Sequence, residues 1–175
     1  MAEILHMSVD EDVSHGSARR ISVHAVVAVP VTRQELEGLA RDIAAQHRDG
    51  DGYQALVVFF YDYPHHINLG ATLGQWRHVP YGDWARAGDV ALGDYTAFQE
   101  VSEIKDKDWA QRPTAEEVDI WHEWHEHLRS LDRGPADTEN HEPEAFDHVA
   151  TRRGLDLETV EAAVRKGAFW MFADQ

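Results

Sequence analysis

The stretch from Tyr53 to Tyr63, Tyr-Gln-Ala-Leu-Val-Val-Phe-Phe-Tyr-Asp-Tyr, is the most apolar run in an otherwise polar and acidic chain. Its middle, Leu56 to Phe60, is apolar at consecutive positions, so both faces of an extended strand there need cover. Its length suits a central strand. Such a strand demands neighbours along its edges and layers on its faces, and the flanking sequence offers them.

Before it, Ile21, Val23, Ala25, Val27 and Val29 alternate with Ser22, His24, Val26 and Ala28. That period of two, rich in β-branched residues, predicts a strand with one face on a core, ended by Pro30. Thr32-Arg33-Gln34-Glu35 is a capping box, in which the Thr hydroxyl and the Glu carboxylate satisfy free amides of a first helical turn. Leu36, Leu39, Ala40, Ile43 and Ala44 follow at helical spacing, with Glu37, Arg41 and Asp42 off that stripe. After the central run, Pro64 to Gly70 reads as a loop. Ala71 to Val79 reads as a strand with Leu73, Gln75 and Arg77 on one face and Thr72 and Trp76 on the other. Pro80 to Trp84 and Gly93-Asp94 carry turn chemistry, and Tyr95 to Val101 predicts one more strand. Residues 1–17 read as a flexible arm with room for a short strand near Ile4. Strand, helix and three strands predict an α+β fold: a small two-layer α/β sandwich over residues 18–104 with a mixed or antiparallel sheet.

Phe59-Phe60-Tyr61-Asp62-Tyr63, Thr72-Leu73-Gly74, Pro80-x-Gly82-x-Trp84 and Gly93-Asp94-Tyr95, in this order, resemble a small bacterial and phage domain family of unknown function. The resemblance covers residues 20–104, about half of the chain. It implies the sandwich and no reaction. The Gly, Pro and Trp positions it marks have structural duties: turns, a buried strand, and a ring over a sheet edge.

Beyond Ile104 the pattern is helical. Residues 105–134 read as a charged connector and an amphipathic helix opened by a second capping box, Thr114-Ala115-Glu116-Glu117. Val118, Trp121, Trp124, His125, Leu128 and Leu131 form its stripe, and Gly134-Pro135 stops it. Residues 135–144 read as an acidic linker. Residues 145–175 predict a helical hairpin: Phe146, Val149 and Ala150 lead to Gly154, Asp156 caps the next helix, and Leu157, Val160, Ala163 and Val164 follow. Ala150, Gly154 and Val160 carry the spacing of a helix-turn-helix, which lets two helices cross closely. Phe169 to Phe172 reads as an apolar tail that needs burial.

The length, 175 residues, fits one domain or a domain with an appendage. The net charge is −16, and residues 98–148 hold 15 acidic against 5 basic side chains. A surface this acidic repels phosphates and suits a basic partner or plain solvation. Cysteine is absent, which excludes a disulfide scaffold, a Cys-ligated zinc site and a Cys nucleophile. No run is long enough to span a bilayer, and Met1 to His6 lacks the regions of a secretory signal, so the expected location is cytoplasmic.

No catalytic motif is present: no Gly-x-Ser-x-Gly, no phosphate-binding glycine loop, no zincin motif. Histidines cluster at His65 and His66 after the central strand, and at His122, His125 and His127 beside Glu126. The second group lacks the i, i+4 spacing of a zincin. Asp119 with His122 has the carboxylate-x-x-His spacing of bundle di-iron sites but no matching helices. Trp76, Trp84, Trp121, Trp124, Trp170 and the tyrosines near the central strand can wall a ligand pocket, but their strand and helix spacings favour core.

The leading expectation is a non-enzymatic protein-interaction or assembly module with no cofactor. It binds a protein partner or a second copy of itself through Trp121, Trp124, Phe169, Trp170 and Phe172. One alternative is a nucleic-acid-binding regulator using Arg152, Arg153, Arg165 and Lys166 of the hairpin. The other is a metal-dependent enzyme using His65, His66, His122, His125 or Glu126.

Overall fold

The computed structural model describes residues 2–12, 18–67, 69–132, 134 and 140–172. The chain divides into two compact units, Met1–Lys107 and Asp108–Asp174.

The first unit is a five-stranded mixed sheet with one helix, in the order β-β-α-β-β-β. The strands are β1 (Ile4–Asp12), β2 (Arg20–Val27), β3 (Ala55–Tyr61), β4 (Gly74–Pro80) and β5 (Phe98–Ile104), and they lie side by side in chain order. Between β2 and β3 runs helix α1 (Arg33–Asp49), so these two strands are parallel. The other neighbours are antiparallel. The fold is α+β, with Tyr53 to Tyr63 supplying the central strand.

Register fixes what each face carries. Val23 pairs with Val58, Val58 with Trp76 and Trp76 with Ser102, so these four share a face. Helix α1 covers that face with Leu36, Ala40, Ile43 and Ala44. Its polar flank ties to β5: Ser102 Oγ donates to Glu37 at 2.8 Å, and Arg41 Nε donates to Glu100 at 2.9 Å. On the opposite face, Ala55 and Val79 pack with Ala18 and with Ala87 of a 3₁₀ turn, Trp84–Asp89. The capping box at Thr32 and Glu35 forms as its sequence implies.

Three boundaries differ from the sequence reading. The supposed arm holds β1, a nine-residue strand antiparallel to β2. Leu5, Met7 and Val9 alternate with His6, Ser8 and Asp10, a period-two signal diluted by the acidic residues around it. Strand β4 starts at Gly74, because Ala71 to Leu73 turn first. Strand β5 starts at Phe98, because Tyr95 to Ala97 are still closing the turn; Phe98 N–H donates to the Tyr95 carbonyl.

The second unit has three helices, α2 (Ala115–Leu131), α3 (Glu142–Arg153) and α4 (Leu157–Phe172), preceded by a 3₁₀ turn, Trp109–Gln111. Each helix packs on the other two. The second capping box is present at Thr114 and Glu117. Gly154 closes α3 in the left-handed region, at φ 66°, and Asp156 accepts from Thr159 N–H at 2.8 Å to cap α4. Ala150 and Val160 are buried beside that turn. Gly167 lets α4 approach α2 closely: a Cβ there would lie 2.7 Å from Cγ of Trp121.

Two readings of this region change. Of the supposed linker 135–144, residues 135–139 lie outside the described residues, and Glu142, Pro143 and Glu144 form the first turn of α3. Proline is at home there, since the first helical amides need no partner in the helix. The supposed tail Phe169 to Phe172 is the end of α4, with Trp170 and Met171 turned inward and Phe169 and Phe172 exposed.

Candidate functional site

Strand β1 has β2 on one side and, among the described residues, no strand on the other. Met7 and Val9 share the face of Ala25 and Val23, with which they pair, and Leu5 stands at an irregularity in the register between Ile4 and His6. Leu5, Met7 and Val9 are 61%, 43% and 45% exposed. Apolar residues thus alternate along an open sheet edge, with Glu3, Asp10 and Glu11 beside them. The other edge is guarded differently. Strand β5 carries Glu100 and Glu103, held in ion pairs by Arg41 and Arg77, which is a common protection against further strand pairing.

The opposite face of β1 joins a polar chain. Asp10 lies 3.4 Å from Nε2 of His24, whose Nδ1 is 2.8 Å from the Tyr61 hydroxyl. Burial pushes the Tyr61 phenol up to about 12, so it keeps its proton at neutral pH. His24 also stacks on Phe59. This chain ties the edge strand to the central one.

His66, one of the loop histidines, is buried and engaged. Its Nδ1 lies 3.0 Å from Oδ1 of Asp62, which also accepts from the Thr72 hydroxyl at 2.7 Å. All three side chains are buried, and the bonds pin both ends of the β3–β4 connection. His65 is exposed on the same turn. The two neighbours therefore serve different surroundings and do not converge on one point.

In the helical unit, Trp121 and Trp170 are 1% and 0% exposed, so their rings belong to the core of that unit. Trp170 meets Trp109. Trp124 is half-buried and stacks on Phe146. Phe169 and Phe172 are the residues of the sequence-derived interaction set that face solvent. His122 and His125 both pack on Trp121, the first edge-on and the second stacked. Burial holds the His125 imidazolium below its ordinary value. His127 instead stacks on His148 at 3.7 Å, and Glu126 is exposed. Among the described residues, no group of three or more His, Asp or Glu side chains is placed to hold a metal ion.

The four cations of the hairpin are mostly occupied. Arg152 and Arg153 both reach Glu123, at 3.2 and 2.7 Å. Lys166 bonds Glu117 at 2.7 Å. Arg165 is the member of this set with no ion pair among the described residues. A phosphate backbone would have to displace carboxylates from the other three, against the charge of the whole chain.

The Glu117–Lys166 pair gives a pH test. Partial burial pushes the Glu117 carboxyl up, but the hydrogen bonds from Lys166 and Thr114 outweigh it and hold it below its ordinary value. A depressed carboxylate adds stability above its unfolded value of about 4.5, and that stability is lost as pH falls through the lower folded value. Wild type is expected to melt above Glu117→Gln at pH 7, and the two melting curves are expected to converge on acidification. A gap that stays constant to low pH would refute the assignment.

No family model matches the chain, and no curated protein and no solved structure matches it. None of the described helices is long and apolar enough to cross a membrane. The β1 stripe was missed as a site because its residues look like an arm; strict alternation from Leu5 to Val9 was the signal that could have found it.

Proposed function

We propose that the chain is a non-enzymatic interaction module whose docking element is β1. The partner is an extended basic segment that adds to the sheet as a further strand. One observation carries this reading: an apolar stripe, Leu5, Met7 and Val9, stands exposed along a sheet edge that no further strand covers among the described residues. Strand addition supplies main-chain hydrogen bonds to the open edge, and alternate side chains supply selectivity. Covering the half-exposed stripe contributes about 1 kcal/mol per side chain.

Charge selects the partner. Residues 2–12 hold four acidic and no Lys or Arg side chains. A second copy pairing antiparallel, with Leu5 opposite Val9, would bring Glu3 against Glu11. A basic strand meets the same carboxylates favourably.

The test uses a synthetic peptide of alternating valine and lysine, followed through the amide signals of β1. Saturable, salt-sensitive binding is expected, weakened about ten-fold by the double change Met7→Ser, Val9→Ser and lost on His6→Pro. The alternating valine–glutamate peptide is expected not to bind. Equal binding of both peptides, or binding indifferent to the stripe, would sink the proposal.

A further inference from the structure

The chain has no cysteine, so no thiol intercepts a peroxide before it meets the thioethers. Of the three methionines, Met7 and Met171 lie among the described residues, and their surroundings differ. Met171 is 4% exposed, near the end of α4. Met7 is 43% exposed, stands between Leu5 and Val9 in the β1 stripe, and pairs with Ala25 of β2. The accessible thioether therefore coincides with the centre of the apolar stripe.

We propose that Met7 is an oxidation switch for strand addition at β1, an inference that rests on the reading of β1 as the docking element. In the step, a sulfur lone pair attacks one oxygen of hydrogen peroxide, the S–O bond forms and the O–O bond breaks. The sulfur loses two electrons. The second oxygen takes the proton of the attacked hydroxyl and departs as water. The product is a sulfoxide, which puts a polar acceptor where the stripe was apolar.

A docked strand strips water from that face. Its main-chain amides lie in the plane of the sheet, turned to β1, while side chains stand out of that plane. Leu5 and Val9 offer the sulfoxide no donor. The valines of a partner strand lying over the stripe offer none either. Docking therefore buries the S–O group unpartnered, which weakens it. Methionine sulfoxide reductases, one for each epimer, remove the oxygen as water with two electrons from a dithiol and restore the stripe.

The experiment treats the full chain with hydrogen peroxide, locates the sulfoxides by peptide mass mapping, and titrates reduced and oxidised protein with the alternating valine–lysine peptide. Met7 is expected to oxidise about ten-fold faster than the buried Met171. The oxidised chain is expected to bind about ten-fold more weakly, and the two reductases together to restore the affinity. Met7→Leu is expected to bind as wild type does and to keep its affinity after peroxide, with Met1 still present. Met7→Gln, a permanently polar side chain of similar length, is expected to bind as weakly as the sulfoxide. If the reduced chain binds no peptide, the docking role of β1 fails and the switch with it. If the reduced chain binds and the sulfoxide binds equally well, the switch alone is overturned. The same follows if Met171 oxidises as fast as Met7, or if peroxide also weakens Met7→Leu.

Discussion

Gly74→Ala is expected to destabilise the sheet unit by about 4 kcal/mol, on the order of 20 °C in Tm. Two costs combine at this residue. Its backbone sits at φ 98°, a region that a side chain strains to adopt. An added Cβ would also press on the Glu103 carbonyl oxygen and lie 2.8 Å from Cα of Ile104. Those are backbone atoms of the paired strand β5, and they cannot withdraw without opening the β4–β5 ladder. Gly93→Ala separates the two costs. Its φ is 84°, but nothing lies within 4 Å of an added Cβ, so only the strain remains, about 1 kcal/mol. Thermal melts of both variants check this. A Gly74→Ala protein melting within a few degrees of its Gly93→Ala counterpart would contradict the close approach of β5.

Trp121→Ala is expected to cost the helical unit about 4 kcal/mol, the usual scale for deleting a buried indole. The ring is 1% exposed, sits against Gly167 of α4, and supports the stacked His125. Its removal leaves a cavity that Gly167 cannot fill. Phe172→Ala is the matched control. That ring is 65% exposed, so its loss is expected to change stability by about 0.5 kcal/mol or less. Denaturant melts followed by helix circular dichroism distinguish the two. If Trp121→Ala left the melt unchanged, the ring would be a surface group and the sequence-derived interaction set would regain it.

Local signals were read correctly where the chemistry is local. Thr32 with Glu35 and Thr114 with Glu117 each start a helix within four residues, and both boxes form. Gly154 and Asp156 likewise mark a helix end and a helix start from their own side-chain properties. Boundaries failed where pairing partners decide them. Leu73 continues the apolar pattern, yet β4 begins at Gly74, whose partner Ile104 ends β5. The exposed and buried members of Phe169 to Phe172 could not be told apart until α4 was placed on α2. The cleft bounded by Arg48, Tyr53, Trp76 and His78 was less legible still. Tyr53 and His78 are 25 residues apart, and only the β3–β4 register and the small Ala44 and Ala45 bring an open space to them. The sequence reading had offered Trp76 as core or as pocket wall, and in the structure it is both.

The six tryptophans divide between the units: Trp76 and Trp84 stand in the sheet unit, and Trp109, Trp121, Trp124 and Trp170 in the helical one. Each unit also buries at least one of them, Trp76 in the first and Trp121 and Trp170 in the second. The protein therefore carries its own optical reporters for both parts. Unfolding of either unit brings a buried indole into water, so a red shift of tryptophan emission accompanies the loss of each.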